Sequence, residues 1–444
     1  MKRNNLIFFM LGIGSQLQIV ASLSFTEIFC YVFGPIWFLK EQYYLRRNGV
    51  MPLFLLSIAL VINAGISCVS NGTHSSYVLR GMAVVCMLPC VIVVVHRLLR
   101  QDMNGFKWWL VGTAISGVLC TFMFQKSVEV SMLAKGATGS AEAAADIMGG
   151  TLYWIGRGGN FINMYTQGWY MQCPTWIAVM LPTCFAVFAL LTSSSGRSSA
   201  LVAIGSALFV LIGGKKVVSI RNRICRNFWW LCLCGALVVL TFKIVYEQTA
   251  SRGLLGEDAR NKYEQQTKGG KSIKRLLLGG RMESFGGLIA CVDKPIIGFG
   301  PWAMDEWGYT QRFLSEYADY EDYQNYVVAR EFLLRNNLSV MSMIPCHSQI
   351  VMFWLWYGIF GLLFWLYILF VIVRYLRHDC YAVPQWFMWL AAASPAYLWN
   401  VFFSPFADRV GGMMYVVAIL LVRAVKKGSQ SLPREMSMEI ERNG

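Results

Sequence analysis

Charged residues are scarce in this chain: they make up 14% of its 444 residues, whereas soluble domains carry roughly 25%. This scarcity excludes a fold that is surrounded mainly by water. Signals for nucleotide and metal chemistry are also lacking, since the sequence contains no P-loop, no Rossmann glycine pattern and no metal-ligand spacing. Most of the 13 cysteines lie in apolar runs, where cysteine packs as a small hydrophobic residue. We therefore predict no metal, no cofactor and no disulfide framework.

Apolar residues, in contrast, make up 56% of the chain. They occur in repeated runs of about 16–26 residues, which as helices are long enough to cross a hydrocarbon core of about 30 Å. Helices are the expected form, because lipid offers no hydrogen-bond partner to an open backbone. Eleven spans are predicted, at residues 5–22, 24–39, 51–68, 78–96, 108–125, 175–193, 198–213, 228–246, 349–373, 383–403 and 409–423.

The chain is basic, with 39 Lys and Arg against 24 Asp and Glu and a formal net charge of +15. This excess does not indicate nucleic acid, because it lies in short links between spans, which the positive-inside rule places in the cytoplasm. The links at residues 40–47, 97–107 and 215–226 have this composition.

The positions of these links require one further crossing. Only three predicted spans separate the link at 97–107 from the link at 215–226, although an even number must separate two links on one side. Residues 145–174 are aromatic and Gly-rich but too polar for an ordinary span, so we predict a broken or re-entrant crossing there.

The sequence therefore predicts an all-α polytopic membrane protein, with residues 1–444 forming a single integral membrane domain of about 12 transmembrane helices. Both termini are predicted to be cytoplasmic. A large, partly helical extracytoplasmic loop is predicted at residues 247–346, between the spans ending near 246 and starting near 349.

Three polar side chains stand out near the predicted outer ends of spans. Arg197 lies in SSSGRSSALVAI, Arg281 lies in GGRMESFGGLIACVDKPIIGFGPW, and His347 begins HSQIVMFWLWYGIFGLLFW. Guanidinium groups suit phosphate, because they present several fixed donors and keep their charge. Neutral imidazole suits proton transfer near pH 7. An interfacial anchor or an ion pair, with Glu283 in the case of Arg281, is the alternative for the arginines, and an interfacial side chain is the alternative for His347.

In their order and spacing these motifs resemble the bacterial O-antigen ligase and O-antigen polymerase superfamily. The second piece is similar to the family's arginine, apolar helix and P-x-x-G-x-G block, and the third to its histidine followed by a helix with Gly-x-x-Gly. The resemblance covers residues 190–375 directly. Ser348 stands where the family commonly has Asn, which leaves its role in orienting the histidine open. RGGNFIN at 157–163 is similar to the family's Gly-Asn segment, without the Asn-Pro-Asn ending.

The resemblance implies a metal-independent, inverting glycosyltransferase of the bacterial inner membrane, active in lipopolysaccharide or other polysaccharide biosynthesis. Such an enzyme moves a glycan from an undecaprenyl-pyrophosphate carrier to an acceptor hydroxyl on the periplasmic side. The acceptor is another lipid-linked glycan in a polymerase and the lipid A core in a ligase. Arg197 and Arg281 would bind the pyrophosphate, and His347 would act as the catalytic base or orient substrate. Further candidates for carrier or sugar contacts, with ordinary solvated or lipid-facing charges as the alternative, are Arg157, Arg252 and Arg260.

Two other functions remain open. Protein O-oligosaccharyltransferases of the same family often carry a soluble region after the last span, whereas only about 20 residues follow residue 423 here. A polysaccharide flippase or other transporter is the alternative from a different class; the single large loop, the lack of repeats and the lack of mid-span acidic or histidine residues disfavour it. The loop residues Trp302, Trp307 and Tyr309 are candidates for stacking on sugars, although Trp and Tyr are common at membrane interfaces.

Overall fold

In the part of the chain that the computed structural model describes, the secondary structure is helical apart from one short hairpin. That part comprises residues 3–15, 18–20, 23–123, 282–305, 348–379, 384–403 and 409–426, with scattered positions between 233 and 260 and between 308 and 346. Its elements are α1 (Arg3–Gly14), β1 (Gln18–Val20), β2 (Leu23–Ser24), α2 (Phe25–Arg47), α3 (Met51–Ser70), α4 (Ser75–Gln101), α5 (Gly105–Met123), α6 (Met282–Asp293), α7 (Gln349–Arg374), a π-helical turn (Tyr375–Asp379), α8 (Pro384–Phe403) and α9 (Arg409–Lys426).

Three helical segments among the described residues are long and apolar enough to cross a membrane. They are Met51–Ser70, Tyr77–Gln101 and Gln349–His378. The shortest has 20 residues, and a helix of that length rises about 30 Å, the thickness of a hydrocarbon core. The helical membrane character predicted from the sequence is therefore confirmed. The count of about 12 spans, the crossing at 145–174 and the loop at 247–346 rest largely on residues outside the described part and stay predictions.

The first predicted span, residues 5–22, is wrong in its extent. α1 ends at Gly14 after 12 residues, a rise of about 18 Å that is too short for a full crossing. The Ser15 hydroxyl donates a hydrogen bond back to the carbonyl of Gly12 (2.7 Å), which closes the helix. The β1–β2 hairpin follows, and Ser24 then starts α2 with a capping box in which its side chain and that of Glu27 bond each other's backbone N–H.

Close helix contacts in the bundle are made through glycines. Gly12 of α1 and Gly112 of α5 face each other, and a β-carbon on either would overlap the backbone of the opposite helix. Gly34 of α2 lies against Cys90 of α4 in the same way, with 2.7 Å from a β-carbon at Gly34 to the Cys90 Cα. Small residues at such crossings are typical of helices that pack inside a membrane, where close van der Waals contact replaces the hydrophobic driving force.

The most buried helix is α9. All its residues from 413 to 422 have at most 2% of their surface exposed. α9 packs against α4, α7 and α8, whereas α3 leaves apolar residues such as Val69 (84% exposed) on its outer surface. A helix that is apolar and covered on all sides lies in the core of the bundle, and an apolar but uncovered face is suited to lipid.

Two ends of the bundle can be distinguished. α2 and α4 run in the same direction, because Tyr31 contacts Ala83 and Glu41 contacts Arg100. The basic links at 40–47 and 97–107 therefore lie at one end, which we call the basic end. α3 and α4 form an antiparallel pair, and the turn between them, residues 71–74, lies at the opposite end.

Candidate functional site at the broken helix

A glycine breaks the helix that follows His347. Gly358 has φ 61° and ψ −151°, a backbone conformation inside α7 that only glycine adopts readily. The break divides α7 into a short arm, residues 349–357, and a long arm, residues 359–374. Phe353 of the short arm packs on Phe364 and on Trp365 of the long arm. The predicted span 349–373 is thus two helices, and the short arm, about 13 Å long, cannot cross a membrane alone.

The break leaves backbone carbonyls of the short arm without helical partners, and the segment 295–302, which we call the glycine block, supplies donors. The N–H of Phe299 donates to the carbonyl of Leu355 (2.7 Å), and the N–H of Gly300 donates to the carbonyl of Trp356 (3.0 Å). Away from water an unpaired carbonyl costs several kcal/mol, so these bonds allow the break to exist.

The glycines of the block are needed for this close approach. Gly298 and Gly300 have φ values of 79° and 83°. A β-carbon on Gly298 would lie 2.6 Å from the backbone nitrogen of Gly358. In return the N–H of Ile359 donates to the carbonyl of Ile296 (3.0 Å), so the block is bonded to both arms. The P-x-x-G-x-G pattern forms a turn that docks on the break.

Polar side chains on α3 and at its C-cap, Asn71, complete the support of the break. Asn63, Ser67 and Asn71, spaced four residues apart, form what we call the α3 polar stripe. Asn63 donates to the carbonyl of Tyr357, Ser67 donates to that of Trp356 (3.0 Å), and Asn71 donates to the glycine block. The apolar pattern of the sequence does not predict this stripe, although a spacing of four residues places such side chains on one helical face.

The start of the short arm is fixed by Ser348. It is the N-cap of α7: its side chain accepts a hydrogen bond from the N–H of Val351 (3.5 Å), and its hydroxyl donates to the carbonyl of Val401 in α8 (3.2 Å). The short arm therefore contacts α8 at its N-terminal end, through Ser348, and α3 and α4 at its C-terminal end. There the Tyr357 hydroxyl donates to the carbonyl of Gly81 in α4.

Aromatic rings surround the end of the glycine block. Trp302, with φ 55°, stacks on Trp356 of the short arm (ring centroids 4.8 Å apart) and lies nearly parallel to Tyr77 (6.4 Å). All three are partly exposed. Tyr309 is 6% exposed and packs on Phe299, so its ring has no open face for a sugar, contrary to the sequence-based suggestion. Burial also raises the pKa of Tyr309, an effect that Asp293 reinforces.

The predicted site residues are only partly within the described structure. Arg157, Arg197, Arg281 and His347 lie outside the described residues, so their convergence stays a prediction. Arg252, in a turn, and Arg260 are exposed.

The helices that follow Arg281 and His347 in sequence are in contact with each other. These are α6 and the short arm of α7, with 3.7 Å between the Cys291 sulfur and the carbonyl of Val351. Within the described residues, no group of three or more His, Cys, Asp and Glu side chains is arranged to hold a metal ion. The prediction of a metal-independent site stays a prediction.

A second polar cluster lies at the basic end, around Glu41. Glu41 is 1% exposed, and Arg100 donates two hydrogen bonds to its carboxylate, at 3.2 and 2.9 Å. His96 lies 3.2 Å from the same carboxylate and 3.0 Å from the Asn48 amide. Arg97 is 3.8 Å away. His96 is fully buried in α4, where it faces the acidic residue of α2.

Comparison with protein-family models, with curated proteins and with solved structures gives no match for the chain.

Proposed function

We propose that the protein is a membrane glycosyltransferase of the O-antigen ligase and polymerase type. It transfers a glycan from an undecaprenyl-pyrophosphate carrier to an acceptor hydroxyl on the outer side of the bacterial inner membrane. About 12 spans, cytoplasmic termini and an extracytoplasmic loop at 247–346 belong to this proposal. The basic end is then the cytoplasmic end, and the broken helix lies towards the periplasm.

One observation carries the proposal: two motifs that the resemblance singles out are in contact. The glycine block, which follows Arg281, docks on the glycine break in the helix that follows His347. In sequence the two motifs are about 60 residues apart, as the bond from Trp354 to Pro295 shows (59 residues). Their contact supports a common site, because a glycine-rich segment that only formed a loop would not need to pack against the break in another helix.

The proposed reaction is a single displacement. His347 takes the proton of the acceptor hydroxyl while the hydroxyl oxygen forms a bond to the anomeric carbon. The bond from that carbon to the pyrophosphate oxygen breaks, and the carrier leaves with both electrons of that bond as a pyrophosphate anion. Arg197 and Arg281 stabilise the developing negative charge. Attack from the face opposite the leaving group inverts the anomeric carbon.

A transporter is the second candidate, because transporters use broken helices to bind ions and substrates near the middle of the membrane. There the unwound carbonyls are the ligands. Here the carbonyls freed by the break accept hydrogen bonds from the glycine block and the α3 polar stripe. These carbonyls therefore have protein partners already, which favours the transferase over an ion-coupled transporter.

Two measurements test the function. In cells, deletion of a polymerase leaves single repeat units on lipid A, whereas deletion of a ligase leaves none. In proteoliposomes with carrier-linked glycan and acceptor, Arg281→Lys should lower transfer sharply, because a lysine keeps the charge but loses the planar fork. Arg47→Lys, at an exposed position at the basic end, is the matched control and should leave transfer unchanged. Movement of intact glycan across the bilayer without a new glycosidic bond would contradict the proposal and favour a flippase.

A further inference from the structure

Ser348 fixes the start of α7 to a neighbouring helix. Its backbone is extended, with φ −121° and ψ 128°, and its side chain caps the helix through the N–H of Val351. The same hydroxyl donates to the carbonyl of Val401 in α8. Ser348 is 2% exposed. A serine hydroxyl has one hydrogen to donate, and here the protein uses it.

From this arrangement we propose that Ser348 is a positioning residue for His347. The inference rests on the proposed function, in which His347 is the base. Since the single donor of Ser348 is committed to Val401, the hydroxyl acts through the backbone and not on substrate. The α-carbons of adjacent residues are 3.8 Å apart across one planar peptide bond, so the anchoring of Ser348 restricts where the backbone of His347 can lie.

Loss of an N-cap side chain loosens the first turn of a helix. A misplacement of about 1 Å at a catalytic group can cost about 100-fold in rate. Ser348→Ala should therefore lower kcat by about 10- to 100-fold. The KM for the carrier-linked donor should stay within about twofold, because no donor contact is removed.

The variants Ser348→Asn and Ser348→Asp distinguish the two hydrogen bonds of Ser348, the one with the N–H of Val351 and the one with the carbonyl of Val401. Asn ranks with Ser as an N-cap and also has an amide N–H that can donate to Val401, so it should restore most of kcat. An ionised Asp accepts from the helix but has no hydrogen for Val401, so its kcat should lie between those of the Asn and Ala variants.

The matched control is Ser24→Ala. Ser24 is also a buried N-cap (6% exposed), and its side chain accepts from the N–H of Glu27 (3.3 Å) at the start of α2. Its loss should lower the melting midpoint about as much as Ser348→Ala does, without changing kcat. These variants and His347→Ala are purified, reconstituted into proteoliposomes and compared at equal amounts of folded protein, with carrier-linked glycan isolated from the producing cells as donor.

The outcomes separate the inference from the function on which it rests. If Ser348→Ala has the kcat of Ser24→Ala, if Ser348→Asn is no better than Ser348→Ala, or if KM rises while kcat is unchanged, Ser348 is not a positioning residue although the protein is a transferase. Undiminished transfer by His347→Ala would also overturn the inference and leave the transferase function standing. Absence of transfer by the wild-type protein would overturn both.

Discussion

Replacing Gly358 with alanine tests whether the broken helix is a built feature of the fold. At φ 61° and ψ −151°, an L-residue is held in a region that costs about 1–3 kcal/mol. An added methyl group would also overlap the carbonyl of Ile296, so the glycine block would have to move away. Each buried carbonyl that then loses its donor, such as those of Leu355 and Trp356, adds about 1–3 kcal/mol.

These terms sum to about 3–9 kcal/mol, a large share of the 5–15 kcal/mol by which proteins are ordinarily stable. We expect Gly358→Ala to lower the melting midpoint in detergent micelles by about 3–10 °C. Gly65→Ala is the matched control. Gly65 lies inside α3 with open space around its position for a β-carbon, so alanine there should be neutral or stabilise by up to about 1 kcal/mol.

Equal melting midpoints for Gly358→Ala and Gly65→Ala would refute the claim that position 358 requires glycine. That result would mean that α7 accommodates a continuous helix at no cost and that the docking of the glycine block contributes little. A fall in the midpoint for both variants alike would also count against it, since it would show a general sensitivity to added methyl groups in place of a special conformation at position 358.

Two further predictions concern buried polar groups. Asn63→Ala removes the donor to the Tyr357 carbonyl and should cost about 1–3 kcal/mol, seen as a lower melting midpoint; an unchanged midpoint would contradict the bond. Burial alone would raise the pKa of Glu41, but its contacts with His96 and Arg100 outweigh burial and lower the pKa below 4.5. The stability that Glu41 contributes is therefore present above pH 4.5 and lost as the pH falls through the lowered pKa. Thermal melts from about pH 7 to pH 3 should show a fall in the melting midpoint at acid pH in the wild type and a smaller fall in Glu41→Gln. Glu41→Gln should also melt at a lower temperature than the wild type at neutral pH. Parallel pH profiles of the two melting midpoints would contradict the prediction.

The sequence predicts two of the unbroken helices closely and the broken one poorly. The predicted spans 51–68 and 383–403 agree with α3 and α8 to within two residues, because long apolar runs leave the chain no other stable form in lipid. The sequence predicts Gly358 as part of an ordinary helical Gly-x-x-Gly. A glycine at a break and a glycine at a helix crossing look the same locally, since the determinant is the glycine block elsewhere in the chain.

The start of α2 has a local signal in the sequence: the capping box at Ser24 and Glu27 marks it, and the predicted span 24–39 begins at the same position. The burial of His96 had no local signal, because it depends on a carboxylate 55 positions earlier in another helix. Chemistry and order in the sequence single out Arg197, Arg281 and His347, which lie outside the described residues.

The broken helix and its supports are mutually dependent, which gives a physical reason for motifs to occur together in distant parts of the chain. Asn63 lies 294 residues from the carbonyl that it bonds, and Asn71 lies 227 residues from its carbonyl partner in the glycine block. Without these donors each freed carbonyl would cost about 1–3 kcal/mol, and a continuous helix would be the more stable form. A straight α7 would start elsewhere relative to α8 and would lose the bond from Ser348 to Val401. In the proposed transferase, replacing the polar residues of the α3 polar stripe is therefore expected to lower transfer, through the position of His347.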